Sequence, residues 1–240
     1  MKVAALRIVA ASTTLVIAYA ALLCFPEPLF SSNISADNLI LYSDRVVQQP
    51  ATNHLLNLVQ LKLKTSPLYS IETSHRIYIC NSRWRQRVFF NKDYGVGGVA
   101  PYPFSPNVFL RDALIAENQL ISPLGTPVPG ERTLDYFIAH EITHQLTGHA
   151  LGPLRYARLP QWVREGYADY VGKGGSFQYE EARQAFLANV PEMDYQRSGL
   201  YRRFHLLVAH VLDRRHVTVE QLLNLPPTQE SVEAEVRAGN

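Results

Sequence analysis

His140-Glu141-Ile142-Thr143-His144 lies within an apolar stripe of Leu134, Phe137, Ile138, Ile142 and Leu146. The three-and-four spacing of that stripe predicts an amphipathic helix, with Thr133 as N-cap and Gly148 as the stop. Residues four apart lie one turn above each other on the same helical face. Both imidazoles therefore address one ion, with Glu141 beside them. Neutral imidazole nitrogens suit zinc, and a carboxylate next to the metal can take a proton from water.

A third ligand is available downstream. Glu165 lies in Pro160-Gln161-Trp162-Val163-Arg164-Glu165-Gly166-Tyr167-Ala168-Asp169-Tyr170-Val171. Trp162, Val163, Tyr167, Tyr170 and Val171 give this segment a helical pattern, opened by Pro160 and closed by glycines at 172, 174 and 175. Packed on the first helix, it aims Glu165 at the same ion. Two His and one Glu leave a position for water, the arrangement of a catalytic zinc. Asp169, one turn beyond Glu165, is placed to accept the remaining N–H of a ligand imidazole.

Over residues 133–171 these two segments resemble the gluzincin branch of the zincin metallopeptidases, the peptidase MA-like proteins. The resemblance implies zinc held by His140, His144 and Glu165, Glu141 as general base, and a peptide or protein substrate. Asp169 matches the Asp that follows the family's ligand Glu by four. The family pairs an extended substrate with an edge strand just before the active-site helix, which assigns that role to residues 96–110; an ordinary core strand is the competing reading. It also implies an oxyanion donor among Tyr201, His205 and Tyr195. Arg164 departs from the pattern, standing where the best-studied members carry Asn, and the N-terminal third matches no motif of the family.

A second zincin branch competes for the third ligand. The string from His140 to His149 nearly spells the metzincin signature, but Gly148 follows His144 by four and His149 by five, each one residue out of step. On a continuing helix His149 projects about 140° away from His144. Glu165, with Asp169 at its side, is the better ligand.

The fold class expected is α+β and zincin-like. A small mixed sheet precedes a helical half that carries the active-site helix, and one N-terminal membrane segment precedes both. Residues 53–64 are read as a helix, 77–80 and 87–90 as strands, and 95–98 as a glycine-rich turn. Helices follow over 179–190, 200–216 and 217–225. The domain boundaries expected are 1–25 for the membrane segment, 26–50 for a tether, 51–225 for the catalytic domain and 226–240 for a loose tail.

Lys2 and Arg7 precede an uncharged run over residues 8–25. This predicts a single-pass anchor with a cytoplasmic N-terminus and an extracytoplasmic domain. Cleavage after Ala18-Tyr19-Ala20, giving an exported soluble form, is the alternative. Cys24 and Cys80 do not make a disulfide framework. A formal charge of +2 on 240 residues points to no nucleic-acid partner. Arg202, Arg203, Arg214 and Arg215 form a basic face, read as solvated or as resting on anionic lipid.

The function expected is that of a membrane-anchored zinc metallopeptidase. Two alternatives stand beside it: a tethered binding or assembly factor with a structural or inactive zinc site, and a zinc hydrolase acting on a non-peptide amide. The intact Glu141 speaks against a structural site, which needs ligands but no base.

Overall fold

The computed structural model describes residues 2–91, 94–174 and 177–239 of a mixed α+β chain. After helix α1 (Lys2–Cys24) come β1 (Ser32–Ala36), β2 (Leu39–Ser43), helix α2 (Gln49–Leu63), β3 (His75–Ile79), helix α3 (Arg83–Phe90), β4 (Gly98–Val99) and β5 (Asn107–Leu110). The strands form one sheet in the order β1-β2-β3-β5-β4. The inner three run parallel and the outer two antiparallel to their neighbours. Alternation along the strands sends Leu39, Leu41, Ile77, Ile79, Val108 and Leu110 to one face. Tyr42, Tyr78 and Phe109 go to the other, against Phe89 and Phe90 of α3 and Leu23 of α1. The first face is covered by α2 and by α4 (Leu134–Leu151), the helix that carries both histidines. This layout does not by itself define a zincin sheet.

The expected membrane segment is corrected. Among the described residues no helix is long and apolar enough to cross a membrane. Ser12, Thr13 and Thr14 interrupt the apolar run of α1. Beyond them only residues 15–25 remain, where about 20 apolar residues are needed for a span. The last turn is also engaged by the domain. Leu23 is buried, its carbonyl accepts from Ser105 Oγ and Asn107 Nδ2, and Tyr19 donates to the Val88 carbonyl. The anchor and the topology drawn from it are withdrawn together.

Other segments differ from their sequence reading. Residues 26–50, expected as a tether, supply the β1–β2 hairpin, whose Leu39 and Leu41 are fully buried. Residues 87–90 belong to α3 and not to a strand. Gln86, Phe89 and Phe90, three and four apart, share the face it buries. Residues 107–110 form an interior strand, so the sheet edge beside α4 is β4, with β1 at the other edge. Residues 226–240 are not a loose tail but carry α11 (Gln229–Ala238), anchored by Val232 and Val236, both fully buried.

The helical half stacks α4 on α6 (Gln161–Lys173) and α6 on α9 (Arg202–Ala209). α9 runs on as a π-helical turn over His210–Arg214. Gly166 permits the second contact: a Cβ there would stand 2.5 Å from the Phe204 carbonyl oxygen. The basic face is neutralised, because Arg202 pairs with Glu131, Arg203 with Glu233, Arg214 with Glu180 and Arg215 with Glu235. Four arginines already holding carboxylates have little left for lipid phosphate.

Two predictions follow from this packing. Gly166→Ala forces α6 and α9 apart and should cost about 1–3 kcal/mol in a denaturant titration; a change under about 0.5 kcal/mol would mean the helices adjust freely. The second concerns His75 at the start of β3, where burial and then the nearby His149 depress its pKa to about 4. Above pH 6.5 the ring is neutral in both the folded and the unfolded chain. As pH falls from 6.5 towards 4 the unfolded chain protonates first, so stability declines through that window by roughly 3 kcal/mol. The stability difference between parent and His75→Phe should shift by about that amount between pH 7 and pH 4, in the variant's favour. A constant difference would count against a neutral buried ring.

Candidate metal centre

The start of α4 is set by a neighbour. Thr133 is extended but makes no side-chain cap. The capping groups come from Asn118, in the turn between the short strands β6 (Ala113–Leu114) and β7 (Gln119–Leu120). Its carbonyl accepts from Leu134 N–H and its Oδ1 from Asp135 N–H, each at 2.9 Å. Nor does the helix stop at Gly148. It continues to Leu151 and ends at Gly152, φ 76°. Gly148 instead makes room for the Tyr102 ring, which a Cβ would meet at 2.6 Å.

One turn apart on this helix, His140 and His144 bring their Nε2 atoms to 3.2 Å of each other. From α6, Glu165 Oε2 approaches them at 3.5 and 3.4 Å. Among the described residues these three form a group able to hold a metal ion. The donor set passes a test of fit. Ligand atoms about 2.1 Å from a tetrahedral zinc lie about 3.4 Å from one another, and the three separations are 3.2, 3.4 and 3.5 Å. The other Glu165 oxygen is taken by Arg164 Nε at 3.1 Å, leaving one oxygen for an ion. Burial opposes ionisation of Glu165, but the charge of His144 and hydrogen bonds from both imidazoles outweigh it and hold the carboxyl well below the usual range. His149 is exposed beside Tyr102 and is not one of the three.

Asp169 has a different role from the one expected. His140 Nδ1 and His144 Nδ1 have no hydrogen-bond partner among the described residues. Asp169 accepts instead from Tyr136 Oη at 2.5 Å and His205 Nδ1 at 2.8 Å, with Lys173 Nζ at 3.4 Å. Burial favours its neutral form, yet these partners, His205 first, keep its pKa well below the ordinary carboxylate value. The carboxylate thus ties α4, α6 and α9 together one turn behind the ligands. Tyr136 was legible as a neighbour, since it precedes His140 by four. Its bond to Asp169 was not.

A cleft of about 940 Å³ opens over the three ligands. Tyr195 and Tyr201 line it, whereas His205 is 1% exposed and packs behind Asp169, stacked on Phe177. Of the three oxyanion candidates, the two tyrosines reach the cleft and His205 does not. The Tyr201 ring stacks on His140 at 5.7 Å. Burial, with Glu165 next, raises its pKa far above that of an ordinary phenol. Tyr156, which no sequence pattern singled out, lines the same cleft and is also raised by burial. Both hydroxyls stay protonated donors.

Glu141 faces the edge strand. A Cβ on Gly98 would lie 2.7 Å from Glu141 Cγ, so only glycine lets β4 pass this closely. Ala100 N–H donates to the Glu141 carboxylate. Burial leads in pushing the Glu141 pKa up to about 7, helped by the charge of Glu165 and opposed by His144. The group is poised between acid and base. None of the family models and none of the curated protein sequences compared with this chain matches it.

Tyr136→Phe removes one hydroxyl and leaves Asp169 short of a donor. It should cost about 1.5–3 kcal/mol of stability, the range for a hydrogen bond to a charged group. Metal affinity should fall about 10–100-fold, as for other partners that orient a site. Unfolding and chelator-competition curves superimposable on those of the parent would place this bond outside the support of the site.

Proposed function

We propose that the chain is a zinc-dependent peptide hydrolase, with His140, His144 and Glu165 as ligands and Glu141 as general base. One observation carries the reading: two imidazole nitrogens and a carboxylate oxygen converge within 3.5 Å in a cleft that also holds a second carboxylate, Glu141, in no ion pair among the described residues. The likeness of residues 133–171 to the gluzincin motif supports the same chemistry.

When bound, zinc supplies Lewis acidity, lowering the pKa of water from 15.7 to about 7. The remaining work falls to the chain. The free edge of β4 offers main-chain donors and acceptors to an extended peptide, whatever its side chains. Gly98 lies against Glu141, so a peptide paired there has its backbone beside the base. Glu141 takes a proton from the attacking water as the oxygen bonds to the carbonyl carbon. It then gives that proton to the amide nitrogen as the C–N bond breaks, leaving a carboxylate and an amine. A cation nearby favours the ionised, proton-accepting form of Glu141. Tyr201 and Tyr156 present O–H donors towards the developing oxyanion.

Purified zinc-loaded protein should cleave a denatured protein or a mixed peptide library, and chelator should stop it. Glu141→Gln should lower kcat/KM by about 10²–10⁴-fold while zinc content holds at the parent level; activity within about tenfold of the parent would remove Glu141 from the role of base. Glu165→Ala should weaken zinc binding by more than the 10–100-fold typical of outer partners, and His149→Ala should leave zinc and turnover nearly intact. The opposite pair of results would hand the third position to His149.

A further inference from the structure

Three arginines line the cleft, at 111, 132 and 164. Arg164 pairs with Glu165. The other two have no carboxylate partner among the described residues, and each buries an Nε with no acceptor. Arg132 precedes α4 at the mouth of the cleft, its guanidinium over the Phe137 ring at 5.6 Å. Among the described residues its one hydrogen bond, to the Gly199 carbonyl, is long at 3.4 Å. The adjacent carboxylate is not available, because Glu131 is committed to Lys173 and Arg202. Arg111 is 2% exposed and lies behind the edge strand. Among the described residues it is held by neutral groups, the Tyr94 carbonyl and Gln86 Oε1, and by the rings of Phe90 and Tyr94.

A buried or half-buried guanidinium without a counter-ion is costly, and that cost is relieved when an anion arrives. Elsewhere the sheltered Arg85 and Arg203 hold Asp44 and Glu233, whereas Arg83, Arg87 and Arg158, which meet no carboxylate among the described residues, lie exposed. The cleft thus carries two sheltered guanidiniums that meet no carboxylate among the described residues. The cleft's own carboxylates do not cancel them, since Glu165 faces the imidazoles and Arg164, and Glu141 faces Ala100. The planar fork of arginine matches a carboxylate through two parallel N–H···O bonds.

We propose that this cleft binds peptides through a carboxylate, with Arg132 as the receiving group and Arg111 adding charge from behind β4. The choice of a peptide rests on the peptidase reading above. The carboxylate itself comes from an acidic side chain or from a free C-terminus, and the test separates the two.

Three fluorescent peptides of otherwise identical sequence are titrated by anisotropy against the full-length chain. The protein is freed of zinc so that no metal can hold the anion. One peptide carries Glu side chains and an amidated C-terminus, the second Gln and a free C-terminus, and the third Gln and an amide. At least one of the first two should bind about 10–100-fold more tightly than the third, as expected for a hydrogen-bonded charge pair. Arg132→Gln should collapse that ratio towards one, and Arg132→Lys should restore part of it. Equal binding of all three peptides by the parent overturns the proposal without recourse to any variant. So does a ratio that survives both Arg132→Gln and Arg111→Gln. Hydrolysis by the zinc-loaded chain is scored separately. Charge-selective binding without cleavage upholds this inference against the peptidase reading, and cleavage with no charge selectivity does the reverse.

Discussion

A carboxylate buried between two imidazoles is costly to assemble and easily lost. Glu165 stands 3.4–3.5 Å from both rings on a helix separate from theirs. A shift of an ångström between α4 and α6 would leave an ionised group facing apolar surroundings. The rest of the helical half answers this requirement. Gly166 lets α9 close on α6, and Gly172 packs on the Tyr136 ring. Asp169 then binds a donor from each flanking helix, so the three cannot slide independently. Asp169 supports the site through helix placement and not through contact with a ligand ring.

The sheet makes its contribution from one edge. β4 is only two residues long, yet it brings Gly98 against Glu141 and Ala100 N–H onto its carboxylate. A carboxylate sandwiched between its own helix and a strand edge is shielded from water, which is why burial dominates its pKa. The same edge is the surface an extended chain would pair with. Tyr201, stacked on His140, closes the opposite wall. The three carboxylate and imidazole groups of the candidate site and Glu141 thus come from two long helices, Tyr156 from the short helix between them, and Tyr201 from the position preceding α9.

Where the sequence misled, the cause was mostly a local pattern overridden by packing. The run after Arg7 reads as a span only if its serine and threonines are ignored and its last turn is free. In the fold Ser105 and Asn107 bind the carbonyl of Leu23, and Phe89 and Phe109 share its apolar cluster. Residues 87–90 have strand composition, but adjacent Phe89 and Phe90 join Gln86 on one helical face. In α11 two valines four apart were the signal passed over, buried against α7 (Tyr179–Leu187) and α9.

The residues of the candidate metal site are the part of the structure that spacing along the chain encodes. Spacing on a helix is a local property, so His140, Glu141 and His144 were legible from periodicity, and the helical context of Glu165 and Asp169 from theirs. The helices of α2 and α6 and the strand at β3 were legible for the same reason. Tertiary structure alone decided what those residues touch. That Asp169 binds Tyr136 and His205, that Tyr156 enters the cleft, that Asn118 caps α4, and that Arg111 and Arg132 meet no carboxylate among the described residues are all relations across long separations in the chain. No periodicity encodes such pairings, because they arise only when separate elements are pressed together and each buried polar group takes the partner within reach.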